Sequence, residues 1–148
     1  MEIMKLNIRP VEKKDYEKIL EWRNDPEVRI NSLTQHIISI DEHMEYWNEF
    51  LKNITNFAYI VIHDNRDIGV LKLKNITKTT YEIDIFLSKD SRNKGLGTQI
   101  LKIAKEIAVK KGITNLIAKI KYDNQASKKS FEKSGFSPKL IYYEAEVK

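Results

Sequence analysis

Tyr81-Glu82-Ile83-Asp84-Ile85-Phe86-Leu87-Ser88-Lys89-Asp90-Ser91-Arg92-Asn93-Lys94-Gly95-Leu96-Gly97-Thr98 is the stretch that decides how this chain folds. An apolar run with the spacing of a strand ends in a basic glycine turn, and the turn opens a helix. Leu96, Ile100, Ile103, Ala104, Ile107 and Ala108 recur at helical spacing, and Gly112 is a natural stop. The first N–H groups of a helix have no intrahelical acceptors, and the aligned peptide dipoles add partial positive charge there. Gly95 and Gly97 let the backbone come close to an anion, while Arg92 and Lys94 add full charges. A turn built this way suits a pyrophosphate. Two other phosphate loops are ruled out by spacing. A Walker-type loop needs Gly, four residues, then Gly-Lys-Ser/Thr, and that pattern does not occur. A dinucleotide fingerprint needs a third glycine three residues after Gly97, where Ile100 stands.

Working upstream, Phe57 to Ile62 and Ile68 to Leu73 read as strands around the hairpin loop His63-Asp64-Asn65-Arg66-Asp67. Met4 to Arg9 alternates and reads as a first strand. Pro10-Val11 then opens a helix with Ile19, Leu20 and Trp22 on its apolar stripe. That helix is expected to end near Asn24-Asp25-Pro26, because the residue before a proline avoids helical geometry. A second helix is expected over Asp41 to Lys52, with Met44, Trp47, Phe50 and Leu51 facing inward. Downstream, Leu116 to Ile120 reads as a strand, Asn124 caps a short helix ending at Gly135, and Leu140 to Val147 reads as a last strand.

The order is β-α-α-β-β-β-α-β-α-β. Three strands in succession predict antiparallel pairing, and the later alternation predicts a parallel crossover. The expected class is α/β (α+β): a mixed, mostly antiparallel sheet of about six to seven strands flanked by helices, and not a doubly wound nucleotide fold. With no repeat, low-complexity tract or Pro/Gly-rich linker, residues 1–148 read as one domain.

Composition narrows the function classes. Hydrophobic residues make up 41%, enough for one core, which argues against disorder. There is no cysteine, so disulfides, a thiolate nucleophile and Cys-ligated zinc are excluded. His36, His43 and His63 share no metal-ligand spacing, and no metal is expected. No apolar run reaches the roughly 20 residues of a membrane span, and the first residues lack a secretory h-region, so a cytoplasmic protein is expected. The net charge of +5 is uneven: Lys89 to Lys133 holds twelve Lys or Arg against four Asp or Glu. A basic half fits nucleic acid, an anionic membrane, a phosphorylated small molecule, or merely a lysine-rich surface. The chain lacks an aromatic-basic stacking surface, so no nucleic-acid or membrane partner is expected.

Arg92-x-x-Gly95-x-Gly97 after a strand resembles the pyrophosphate loop of the GNAT superfamily of acyl-CoA-dependent N-acetyltransferases. Some 27 residues after Gly97, Asn124-Gln-Ala-Ser127-Lys-Lys-Ser-Phe131-Glu-Lys-Ser-Gly135-Phe136 resembles that superfamily's second cofactor element. The resemblance implies a GNAT-like sheet whose two central parallel strands, here Tyr81–Leu87 and Leu116–Ile120, splay apart around acetyl-CoA. It implies backbone contacts from Phe86 and Leu87 to the pantetheine. It places Arg92, Asn93, Lys94, Gly95, Leu96, Gly97 and Thr98 around the pyrophosphate, and Asn124, Ser127, Lys128 and Phe131 along the cofactor. It also implies direct attack by an amine, with Glu82 as the first candidate base and Asp84 as the second. Where the family often has a tyrosine to protonate the leaving thiolate, this chain has Phe131, so Tyr122 or Tyr143 is the remaining candidate, or the thiolate leaves unassisted.

The segment Glu21 to Arg29 resembles the branch containing ribosomal-protein, polyamine and amino-sugar N-acetyltransferases, and Ile40-Asp41-Glu42-His43 followed by Trp47 is closest to the amino-sugar type. This implies Trp22, Arg23, Asn24, Arg29, His43 and Trp47 on the acceptor side, with an anionic nucleotide-linked amino sugar as the expected acceptor. A polyamine, a protein N-terminus and a catalytically silent acyl-CoA-binding module remain the alternatives. As for assembly, the expectation is a monomer or a homodimer.

Overall fold

The computed structural model describes residues 6–147. Five strands form one sheet in the order β1 (Leu6–Pro10), β2 (Phe57–His63), β3 (Arg66–Asn75), β4 (Thr80–Leu87), β5 (Asn115–Ile117). The first four pair antiparallel, and β5 joins β4 in parallel. The helices are α1 (Tyr16–Arg23), α2 (Pro26–Ile30), α3 (Ile40–Lys52), α4 (Leu96–Lys110) and α5 (Gln125–Lys133). The mixed sheet and its flanking helices are those of the expected class.

Alternation along the strands divides the core in two. Leu71, Leu73, Tyr81 and Ile83 point to one face and meet Leu96, Ile100, Leu101 and Ala104 of α4. On the other face, Ala58, Ile60 and Val70 meet Tyr16, Ile19 and Trp22 of α1 and Trp47 and Phe50 of α3. Arg9 ties these layers at the edge. Its guanidinium donates to both carboxylate oxygens of Asp15 at 2.8 Å and to Asp67 at 2.9 Å, and Lys18 donates to Asp67 at 2.9 Å.

Four elements differ from the sequence reading. The helix expected to open at Pro10-Val11 starts later, with a 3-10 turn at Lys13–Asp15 leading into α1, because Pro10 still lies in β1 opposite Tyr59. Pro26 ends α1 as expected, but it also begins α2: Asp25 is the N-cap, its side chain accepting from Glu27 N, and proline is favoured at the first helical position. The strand read over Leu116–Ile120 pairs only over Asn115–Ile117, because β4 and β5 diverge beyond Glu82 and Ile117. Met4 and Lys5 of the first strand lie outside the described residues. Leu140 to Val147 is not a strand, so the described sheet has five strands rather than six or seven. Local β-pattern is insufficient there, because a strand exists only where a neighbour completes its hydrogen bonds.

Candidate active site

The cleft begins where β4 and β5 part. Ile83 to Leu87 on one side and Ala118 to Ile120 on the other line a cavity of about 300 Å³, closed by the glycine loop, α2 and α5. This is the splay the sequence reading expects.

The glycine loop is held open by its own backbone. Asn93 and Gly95 have φ of 61° and 74°, left-handed conformations of the kind from which anion-binding backbone concavities are built. Gly95 is the N-cap of α4, and no side chain caps the helix. The anion-attracting end of a 15-residue helix therefore faces the cleft without a partner among the described residues. A Cβ built on Gly95 meets nothing within 4 Å, and one on Gly97 would come 3.5 Å from Ser130 Oγ. The residues thus form a cradle for a phosphorylated group, and acetyl-CoA fits the chemistry of these donors.

Arg92 is in the loop but works as its clasp. Its Nε and Nη2 donate to Leu87 O at 3.2 and 2.9 Å, and its Nη1 donates to Asp25 at 3.1 Å and Glu27 at 2.8 Å. Its charge is thereby neutralised, and Leu87 O is occupied. Lys94 is exposed, and Lys94 and Thr98 lie outside the cavity lining, as does Lys128, whose Nζ donates to Tyr122 O. Asn93, Leu96, Gly97, Phe86, Asn124, Ser127 and Phe131 line the cavity. Asn124 caps α5 by accepting from Ser127 N at 3.2 Å, and Phe131 packs edge-on against Phe136 at 4.9 Å.

The two candidate bases separate. Glu82 lies outside the cavity lining, with Lys119 Nζ 3.1 Å from its carboxylate. Asp84 lines the cavity and is 56% exposed. Opposite it in register on β3 stands Lys72, whose Nζ is 3.6 Å from Asp84 Oδ2 and donates to Tyr46 Oη at 2.7 Å. The ammonium also lies 4.7 Å from the centre of the Tyr46 ring and 5.7 Å from those of Trp47 and Phe50. Burial pushes Lys72 down, but Asp84 and Tyr46 outweigh it and hold the group above its ordinary value, so it is a cation throughout the neutral range. Lys72 and Tyr46 escaped the sequence reading. The register Lys72↔Asp84 follows only from the β3–β4 turn, and no local pattern announces it. Tyr122, 83% exposed, and Tyr143, 87% exposed, are both far from enclosure by the cavity.

On the acceptor side the structure places several expected contacts in the core. Trp47 is 2% exposed, with Tyr16, His43, Tyr46 and Phe50 around its ring, so no face is left for a sugar or base. Trp22 is likewise buried. His43 Nε2 donates to Tyr16 O at 2.7 Å, and burial holds its pKa below the ordinary histidine value. Asn24 and Arg29 secure the loop after α2: Asn24 bonds both N and O of Ile38, and Arg29 Nε donates to Asn24 O. Arg23 alone of this set lines the cavity. Its Nη2 donates to Thr34 O at 2.8 Å, whereas Nη1 is buried with no partner among the described residues. Among the described residues no cluster of three metal-ligating side chains occurs, and no helix is long and apolar enough to cross a membrane.

Comparison with known proteins gives a consistent picture. A family described as "Acetyltransferase (GNAT) domain" matches residues 5–137. Acetyltransferase PseH of Campylobacter jejuni subsp. jejuni serotype O:2 is 26% identical over 133 residues, covering 88% of this chain and 82% of that protein. Spermidine N-acetyltransferase from Vibrio cholerae, solved with CoA and spermine, superposes with a TM-score of 0.84 at 18% identity, over 91% of this chain and 82% of that one. Aminoglycoside acetyltransferase AAC(6')-Ib, solved with coenzyme A and kanamycin, gives 0.79 at 18% identity, over 91% and 86%. At such identities these structures speak for the fold.

Proposed function

Because the chain belongs to the GNAT acetyltransferase family, with acetyl-CoA as co-substrate, we propose that it acetylates a primary amine directly in the β4–β5 cleft, and that the amine belongs to a nucleotide-linked amino sugar. The uncapped, glycine-lined start of α4 facing that cleft is the observation that carries the reading. The backbone from Asn93 to Gly97 would hold the pyrophosphate, with Arg92 shaping the loop from behind. Acetyl-CoA supplies an activated acyl group; the protein orients both partners and handles the proton.

An alkylammonium has a pKa of about 10 and must lose a proton before its nitrogen can attack. Among the described residues, two carboxylates line the cavity, Glu27, which Arg92 binds, and Asp84, beside Phe86, which receives this proton directly or through water. The new N–C bond forms, the C–S bond breaks with the sulfur departing as a thiolate, and the second proton of the acylated nitrogen passes to that thiolate or to water. A thiol pKa near 8.5 lets that thiolate leave without an assisting acid. Phe131 packs there and donates nothing.

The acceptor class follows from which charges are free. A polyamine needs unpaired carboxylates around it. Here Asp25 and Glu27 are bound by Arg92, Glu42 by His36 at 3.0 Å, and Asp84 faces Lys72. Among the described residues, Arg23 Nη1 on the cavity wall lacks a partner. An anionic acceptor suits this balance better than a cationic one. A free-thiol release assay with UDP-linked 4-amino sugars, spermidine and basic N-terminal peptides tests it. Turnover is expected with a sugar nucleotide; turnover of spermidine alone overturns the acceptor assignment.

A further inference from the structure

Beyond Glu82 and Ile117 no ladder joins β4 to β5, so other contacts hold the two walls of the cleft at their distance. On the α4 side the packing of α5 against α4 does this. The pair Lys119–Glu82 spans the strands near their last rung, and a lysine 63% exposed adds little there. Farther along, α2 bridges the gap. At its start Asp25 and Glu27 accept from Arg92 Nη1 at 3.1 and 2.8 Å, and the same guanidinium is anchored on Leu87 O at the end of β4. At its far end Ile30 O accepts from Lys121 Nζ at 2.9 Å, one residue past the wall formed by Ala118 to Ile120.

This bridge is stiff. Asp25 caps the helix, Arg29 Nε donates to Asn24 O, and Ser32 Oγ donates to Val28 O at 2.6 Å. Five helical residues measure about 7.5 Å, against about 4.8 Å between paired strands. The helix buries none of its residues, so it adds nothing to the core, and both its ends are spent on the cleft walls. Charge points the same way. Asp25, Glu27 and Arg92 together carry one negative charge beside a cradle built for an anion, which works against attraction of a pyrophosphate. Their value therefore lies in holding the walls.

We propose, resting on the reading that acetyl-CoA lies between β4 and β5, that α2 is a strut setting the width of the cleft, and that Asp25, Glu27 and Lys121 are positioning residues acting on the cofactor through it. Asp25 and Lys121 themselves lie outside the cavity lining. Val28, Asn31 and Ser32 do line it, so the same strut shapes the acceptor side.

The test is isothermal titration of CoA into the parent, the double variant Asp25→Ser, Glu27→Ala, the single variant Lys121→Met, and all three changes together. Serine keeps the helix cap but is too short to reach Arg92, and methionine keeps the lysine stem without its donor. Because α2 buries nothing, all variants fold, and thermal melts check this. CoA is expected to bind about tenfold more weakly when either end is cut, and no more weakly when both are. Charge alone predicts the opposite for the double variant, since losing two carboxylates beside a phosphate cradle would tighten CoA. Unchanged or tighter binding there overturns the proposal, and so do losses that add in the combined variant, which would make the two ends independent. Gly97→Ala, titrated alongside, tests the underlying reading separately: parental affinity in that variant would remove the cofactor from the cleft and the proposal with it.

Discussion

The residues of the cleft divide into those that bear its chemistry and those that hold its shape, and substitution separates them. Gly97→Ala is expected to fold as the parent does, since the added methyl makes only an ordinary contact with Ser130. Any fall in CoA affinity, expected at about tenfold or ~1.4 kcal/mol, then reports crowding of the anion. Gly95→Ala differs because of its φ of 74°: the left-handed strain of about 1–2 kcal/mol appears as a lower melting temperature in addition to weaker CoA. Isothermal titration and thermal melts on the pair check both outcomes. At the acid–base position, Asp84→Asn is expected to lower kcat by roughly 10²–10⁴ and Glu82→Gln much less, because Asp84 lines the cavity and Glu82 does not. Equal losses in both would return the role to Glu82. Lys72→Met keeps its apolar stem against the three rings, so its melting temperature should barely move while the pH–rate profile shifts. An unaltered profile would make Lys72 a packing residue. In the sequence Gly95, Gly97 and Asn124 were legible, since each has a local backbone reason. The burial of Trp47 and His43 was not, because the sequence supplies no information about which aromatic ring meets which.

Among the elements, β4 depends on an absence in its neighbour. A methyl on Gly69 would lie 2.5 Å from Phe86 O and 2.7 Å from Leu87 Cδ2, at the end of β4 that forms the cleft wall. Gly69→Ala is therefore expected to destabilise the fold by about 1–3 kcal/mol and to weaken CoA binding together with it. A melt at parental temperature would show that the β3–β4 contact yields freely. The link between β1, α1 and β3 is ionic. Burial pushes Asp15 and Asp67 up, but hydrogen bonds outweigh it, from Arg9 and Glu12 N to Asp15 and from Lys18 and Arg9 to Asp67. Both carboxyls end below their ordinary value of 3.8. A depressed folded pKa stabilises above the unfolded value and loses that contribution as pH falls through the folded one. Melting temperature should thus drop steeply below about pH 4, and Asp67→Asn should flatten that drop while lowering stability at neutral pH. An equally steep acid limb in the variant would assign the sensitivity to other carboxylates. Helix α2 shows the limit of element-level reading: Asp25-Pro26-Glu27 carries both a stop signal for one helix and a start signal for the next, and only the stop was read.

The whole molecule binds as one unit, so a ligand of the native state raises its melting temperature by mass action. CoA at a hundred times its Kd should add about 2.7 kcal/mol, whereas NAD should add nothing. A shift with NAD and none with CoA would remove the acetyl-CoA assignment. At this scale the division between sequence and structure has a physical origin. The sequence by itself determined the glycine loop, the helix it opens, the hairpin series and the mixed sheet, because turns, caps and amphipathic periods are encoded within a few residues of where they act. Two signatures in order, at Arg92–Gly97 and Asn124–Gly135, were enough to indicate the family. Only the tertiary structure decided that Arg92 is spent on Asp25, Glu27 and Leu87 O, that Asp84 rather than Glu82 faces the cavity, and that Lys72 stands behind it. It also decided that Leu140–Val147 remains unpaired. Each of these depends on contacts between residues distant in the chain, where the register of a sheet and the pairing of charges are set by packing that no local window contains.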